Sequence, residues 1–427
     1  MSLSKNIIRH RKLVVVIFIA AALVCAILQL GVSVNYNIAD YLPEDAESTL
    51  ALRIMSEEFD TDVPNARVLI PDVSITEALE YKKALSEING VSNLMWLDDV
   101  IDLRQPLEMA DRAVVETYYK EGSAIISLAI GEEDDVRIIN EIRALVGEDG
   151  AVSGNAVVSA TSKEMSAGET TRVMLFLVPL IILILILTTT SWVEPLLFMA
   201  TIGISILINM GTNIIFDDIS FITFSVSPIL QMAVSLDYAI FLLNSFQKYR
   251  DVTDDIDEAM SLAMKRSLPA VLASALTTLF GFLALVFMRF EVGANLGIAL
   301  AKGIVFSLIS VMVFLPSLTV CCYKLIDKTK HRRFVPTFKG SGRFIIRTRI
   351  PALILVVLLV VPSYLAQSRT SFIYGIGDLE PTSRAGMDEA KINEIFGQSV
   401  PTVLLVPRGD VAREARLADD LSEINNV

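Results

Sequence analysis

SLDYAIFLL, residues 235–243, sets one aspartate inside a run otherwise fit for lipid. Asp237 is the only charged residue between Asp218 and Lys248. An ionised carboxylate at the centre of a bilayer costs roughly 2.5–3.5 kcal/mol on insertion scales. If this stretch crosses a membrane, Asp237 needs a partner or a task.

The flanking sequence says that it does cross one. The chain has 427 residues, 53% of them hydrophobic, and a mean hydropathy of +0.56. About 20 apolar residues span a bilayer core. Seven such runs are predicted, near 13–32, 173–190, 195–216, 220–244, 268–288, 294–322 and 350–366. Each is expected to be helical, because lipid offers backbone groups no hydrogen-bond partner. The first run follows a basic stretch, KNIIRHRK, as a signal peptide would. It is longer than a typical signal core, and GVSVNYNIADYLP follows in place of a small-residue cleavage site. It reads as a retained anchor.

Lys and Arg asymmetry orients the chain. Residues 33–171 carry 28 Asp/Glu against 10 Lys/Arg. The connection 323–349 carries nine Lys/Arg against Asp327 alone, and the N-terminus carries Lys5, Arg9, Arg11 and Lys12. The expectation is a multi-pass protein of the cytoplasmic membrane, with a cytoplasmic N-terminus and an acidic outer domain. The formal net charge of −13 resides mostly in that domain and argues against a nucleic-acid partner.

Chemistry of other kinds finds little support. Of the three cysteines, Cys25, Cys321 and Cys322, none lies in the outer domain, which excludes a disulfide framework there. His10 and His331 both fall in predicted cytoplasmic segments, so no histidine metal site or cofactor is expected. A membrane aspartyl protease needs two facing aspartates, and no phosphate-binding glycine loop occurs. The reading is a protein that is not an enzyme.

Residues 66–160 alternate strand and helix signals. ARVLIP, VSNLMWL, SAIISLAIG and AVSGNAVVSA read as strands, and SITEALEYKKALSEI and DDVRIINEIRALVG as helices. The order βαββαβ predicts a ferredoxin-like α+β sheet, with an extra helix at 105–120. A repeat is also visible. VPNARVLIPD at 63–72 resembles VPTVLLVPRGD at 400–410, LSEING at 85–90 resembles LSEINN at 421–426, and DYLPEDAES at 40–48 parallels DLEPTSRAG at 378–386. The pairs stand 336 to 338 residues apart, and each copy follows a predicted span. The plan is therefore a first helix with its basic front (1–32), an outer porter-like domain (33–171), a five-helix block (172–322), a basic cytoplasmic connection (323–349), a seventh helix (350–366) and the start of a second outer domain (367–427). The last of these predicts a partner in a missing C-terminal half of the same polypeptide.

One span, a large outer domain, a five-span block and a duplicated plan resemble the RND superfamily, and within it the MMPL-type membrane transporters. The motifs are LDYAIFLLNSF at 236–246, ALTTLFGFLAL at 275–285 and GIALAKGIVFSLISVMVFLPSL at 297–318. Ser235 departs from the family pattern, which has glycine two residues before the aspartate. The resemblance implies proton-driven export, or efflux, of lipids or other hydrophobic compounds. It also implies that Asp237 and Tyr238 belong to a proton relay, completed in the family by a matching pair in the tenth span.

The residues themselves add to this. At about 100° per residue, Thr223, Ser227, Gln231, Ser235, Asp237 and Tyr238 share an arc of roughly 160°. A polar arc in a span must face other helices or a wet cavity. Carboxyls shielded from water exchange protons nearer to neutral pH, as a coupling site requires. The plainer alternative is a protonated aspartate bonded to a backbone carbonyl. Ser274, Thr277 and Thr278 on the fifth span, and Lys302 on the sixth, are candidate supports alongside Gln231 and Ser235; interhelical glue and snorkelling are their plainer roles. The run 246–266 reads as a cytoplasmic surface helix. A lipid-sensing or scaffold protein is the competing class, since sterol-sensing domains resemble the same five-span block; a motor assisting protein export is a third. Hydrophobic substrate, protons, membrane lipids and a possible oligomer are the expected partners.

Overall fold

The computed structural model describes residues 3–43, 45–58, 64–131, 134–332, 334, 341–367, 369, 382–397, 404, 406 and 409–422. Among them seven helices are long and apolar enough to cross a membrane: Arg11–Gly31, Thr170–Thr188, Glu194–Ile215, Phe221–Arg250, Ile256–Phe287, Glu291–Cys321 and Ile346–Gln367, here spans 1 to 7. The chain divides into two compact units. One comprises residues 1–41 and 162–375 and holds all seven spans; the other comprises residues 42–161 and 376–427.

In the helical unit, spans 3, 4 and 6 pack on one another, span 5 packs on spans 4 and 6, and span 1 packs on span 3. Spans 3 and 6 bury more than half of their apolar windows, whereas span 7 buries none. Small residues permit the close crossings, as is usual between membrane helices. At Gly211 an added Cβ would collide with the backbone of Cys25, so spans 1 and 3 touch there main chain to main chain. Val34 and Asn35, after span 1, pair in parallel with Ile219 and Ser220, before span 4. That pairing holds the chain after span 1 to the helical unit, which includes residues up to Tyr41.

The boundaries correct one expectation. Residues 246–266 do not form a separate surface helix. Span 4 runs on to Arg250, and span 5 begins at Ile256, with Asp255 capping it by accepting from Asp257 N and Glu258 N at 2.9 and 3.3 Å. The apolar face of the run, Ala259, Met260, Ala263 and Met264, is buried in the helical core. Its polar face begins the fifth span, which explains the amphipathic pattern.

The core of the second unit is built from β1 (Ala66–Ile70), α1 (Ile75–Ser86), β2 (Val91–Met95), β3 (Ser123–Ile130), α2 (Asp135–Val146) and β4 (Ala151–Ser153), its strands antiparallel, with the two-residue strand Tyr119–Lys120 added beside β3. The sheet order is β2-β3-β1-β4, with Val68 opposite both Ile126 and Val152. Strand residues two apart share a face. Accordingly Val68, Ile70, Ile126 and Leu128 pack with Ala78, Leu85, Ile138 and Ile142 from the helices. Ser74 starts α1 with a capping box to Glu77. The insertion at 105–120 holds a short 3-10 turn at Leu107–Met109, the helix Arg112–Tyr118 and the strand Tyr119–Lys120.

The last strand is shorter than the sequence suggested. Of 151–160 only Ala151–Ser153 is strand. Gly154 has φ +119, and a Cβ there would strike the Asn65 carbonyl. Helix resumes at Asn155 and continues without a break to Thr188, through span 2. The opposite face of the sheet, Leu69, Ile125 and Ala151, is covered by Ile392 of α3 (Arg384–Phe396). The strand expected from 400–410 and most of the matched segment 421–426 lie outside the described residues.

Candidate functional site

Three spans carry small or polar residues four positions apart: Thr201, Ser205 and Asn209 on span 3, Ser227, Gln231 and Ser235 on span 4, and Ala299, Gly303 and Ser307 on span 6. Such spacing stacks each trio on one helix face. All nine residues are buried, and the three stripes meet.

The Gln231 amide sits at the junction. Its Oε1 accepts from Asn209 Nδ2 at 2.9 Å, and its Nε2 lies 2.9 Å from Ser205 Oγ and 3.1 Å from both Ser307 Oγ and the Gly303 carbonyl. A Cβ on Gly303 would stand 2.8 Å from Asn209 Nδ2, so any larger residue would push the Asn209 amide from this position. Ser205 and Ser307 share a hydrogen bond of 3.1 Å. Ser235 Oγ lies 2.6 Å from Ser307 Oγ and bonds back to the Gln231 carbonyl. The Ser235 hydroxyl therefore ties span 4 to span 6.

Asp237 is not part of this cluster. It is exposed on the surface of the unit, in a stripe with Ala233, Phe241, Asn244 and Lys248. Tyr238 turns the other way and is 2% exposed. Its hydroxyl makes no hydrogen bond among the described residues, with Ser274 and Thr278 of span 5 beside it. Thr277 and Thr278 bond back to the carbonyls of Ala273 and Ser274, and Ser274 and Thr277 are exposed. The arc read from the sequence thus divides. Thr223, Ser227, Gln231, Ser235 and Tyr238 are buried, while Asp237, at its edge, is not.

Lys302 turns away from Asp237. Its Nζ donates to the Asn209 carbonyl at 3.1 Å and to Asn213 Oδ1 at 2.5 Å, and lies 5.1 Å from the centroid of the Phe216 ring. It is joined to Gln231 only through Asn209. Glu194 is 2% exposed and accepts from Thr190 N and Gln247 Nε2, fixing the start of span 3 against the end of span 4. Among the described residues no group of three His, Cys, Asp or Glu could hold a metal ion.

Asn209, Ser205, Gly303 and Ser307 were not singled out in the sequence. Their four-residue spacing on two spans was the available signal, visible only once both helices are known to face Gln231.

The helices and the buried polar junction define a polytopic membrane protein. The MMPL family model matches residues 113–354, more than half of the chain, and the protein belongs to the MMPL family. It is 27% identical to the Streptomyces coelicolor membrane protein ActII-3 over 301 residues, 68% of this chain and 42% of that protein. It is 37% identical to the Methanocaldococcus jannaschii membrane protein MJ1562 over 91 residues, 21% of this chain and 24% of that one. It is 30% identical to Mycobacterium tuberculosis MmpL12, named as a transport protein, over 142 residues, 32% of this chain and 12% of that one. The chain spans less than half the length of these relatives.

Proposed function

We propose that this chain is part of a transporter of the cytoplasmic membrane that uses the proton-motive force to export lipids or other hydrophobic compounds. The observation that carries the reading is the position of Asp237. A carboxylate on an exposed stripe of a spanning helix is too costly to leave in lipid. The stripe therefore faces further helices of the complete protein, where Asp237 binds and releases protons with Tyr238 behind it. The partial match to ActII-3, of which this chain covers 42%, and the repeat spacing of 336 to 338 residues support a second helical block in that place. Inverted or tandem halves commonly hold coupling sites at their interface near the midplane. Each proton crossing supplies about 2.3 kcal/mol per 100 mV and about 1.4 kcal/mol per pH unit. The Gln231 junction holds span 4 rigid against spans 3 and 6, so that a change at Asp237 moves helices and not side chains alone.

In the same reading the β2-β3-β1-β4 unit is an extracytoplasmic, ferredoxin-like porter domain. Its strand order and connections support this. The test is Asp237→Asn in the full-length protein, reconstituted with a pH gradient. Insertion and folding should persist and proton-coupled transport should vanish. Wild-type coupling in that variant would end the proposal.

A further inference from the structure

A cleft of about 730 Å³ opens where span 1 begins at Arg11 and span 5 begins at Ile256. One wall is the N-terminal helix Leu3–Arg9 and the first residues of span 1. That helix is folded back on span 5: Ser4 Oγ and Ser261 Oγ are 2.9 Å apart, and Ile8 enters the helical core at 2% exposure. The other wall is Asp255, Asp257 and Glu258.

The charges in the cleft are not balanced. Arg11 Nη1 contacts both Asp257 carboxylate oxygens, at 3.0 and 2.9 Å, and closes one side. Asp255 is occupied by the amides it caps. Lys5, Arg9 and Lys12 make no ion pair among the described residues, and with Arg11 they set four cations in the cleft against the three carboxylates Asp255, Asp257 and Glu258. Leu13, exposed beside them, adds an apolar edge. Both walls stand at the ends of spanning helices, so the cleft lies at head-group depth. Basic pockets at that depth, between spanning helices, suit lipid phosphates.

We infer that this cleft binds the phosphate of an anionic phospholipid head group, with Lys5, Arg9 and Lys12 as its ligands and the acyl chains leaving past Leu13. The inference rests on spans 1 and 5 crossing the membrane and is independent of transport. Nothing in it involves Asp237, so the two readings fail separately.

Short-chain phosphatidylglycerol binding to the purified full-length protein tests it. The variant Lys5→Gln/Arg9→Gln/Lys12→Gln should bind about 100-fold more weakly, each basic residue near a head group being worth about fivefold. Lys324→Gln/Lys328→Gln/Arg332→Gln removes the same charge after span 6 and should change affinity by less than about twofold, since those residues lie outside the cleft. Lys5→Arg/Lys12→Arg should retain binding, which separates the effect from misfolding. Inorganic phosphate at 10-fold excess over lipid should not displace it, for want of the acyl contribution. Equal losses in both triple variants, no preference over phosphatidylcholine, or full displacement by inorganic phosphate would each overturn the assignment.

Discussion

Gln231 of span 4 accepts a 2.9 Å hydrogen bond from Asn209 of span 3, and through Asn209 it is linked to Lys302 of span 6. One amide therefore holds three helices in register. In Gln231→Leu, Asn209 Nδ2 loses its 2.9 Å acceptor and the Gly303 carbonyl its donor, while Ser205 and Ser307 keep their bond to each other. Each buried polar group left unpaired costs about 1–3 kcal/mol. The variant should unfold at lower denaturant by at least about 2 kcal/mol. Ser235→Gly restores the family's glycine and removes only the tie to Ser307, so its loss should stay near 1 kcal/mol, as for interhelical bonds in membranes. Equal stability of Gln231→Leu and the parent chain would show that the junction is not what holds these helices together.

The charge asymmetry makes a topological prediction. In a background lacking Cys25, Cys321 and Cys322, single cysteines are introduced at Ser86 and Lys328, both exposed. Ser123, at the start of β3, is buried and unsuited to labelling. An impermeant maleimide should modify Ser86→Cys in intact cells and Lys328→Cys only after lysis. The reverse pattern would invert the orientation and move the basic ends outside.

Asp327, just beyond span 6, is held by Arg250 at 2.6 and 2.9 Å and by Lys330 at 3.0 Å. These bonds, Arg250 foremost, outweigh burial and hold its carboxyl down at about 2, below the ordinary value of 3.8. A lowered folded-state value means that the contribution is complete above about pH 4 and is lost as pH falls toward 2. The group is about one-third exposed, so the pair is worth no more than about 1 kcal/mol. Asp327→Asn should cost that much at pH 7 and flatten the stability profile between pH 4 and 2. A profile as steep as that of the parent chain would place the acid sensitivity elsewhere.

Much of this was legible from residues alone. Length and hydropathy locate seven spans because lipid leaves the backbone no alternative to helix. Short apolar runs in ARVLIP and SAIISLAIG locate two strands, which are buried on one face against α1 and α2 and on the other against α3. Other features depend on a second segment that no local pattern names. The end of β4 is set by the approach of Gly154 to Asn65, across most of the domain. Asp237 shares an arc with Gln231, but how wide an arc is buried depends on how many helices pack there. The cluster's members on spans 3 and 6 resemble ordinary small-residue packing until Gln231 is seen to reach them.

The repeat makes the sharpest contrast. Ile392 of α3 is fully buried against Leu69, Ile125 and Ala151, and Arg143 bonds Asp388 at 3.0 Å beside it. Lys120 reaches the Ile395 carbonyl at 2.8 Å as well. At the spacing of 338 residues found for DYLPEDAES and DLEPTSRAG, the counterpart of Ile392 is Ile54, which is 40% exposed. Two isoleucines in matching repeat positions thus sit in unlike surroundings, and only one of them fills a core. In a protein comprising residues 1–427, Ile392→Ala should destabilise the sheet unit by about 2–5 kcal/mol, the usual range for emptying a core site. Ile54→Ala should stay within about 0.5 kcal/mol, as for surface changes. Hydrogen exchange in β1 and β3 reads both, since loss of α3 bares Leu69 and Ile125. Faster exchange in Ile392→Ala alone is the expected result. Unchanged protection of β1 in that variant would mean that α3 does not cover the sheet in solution.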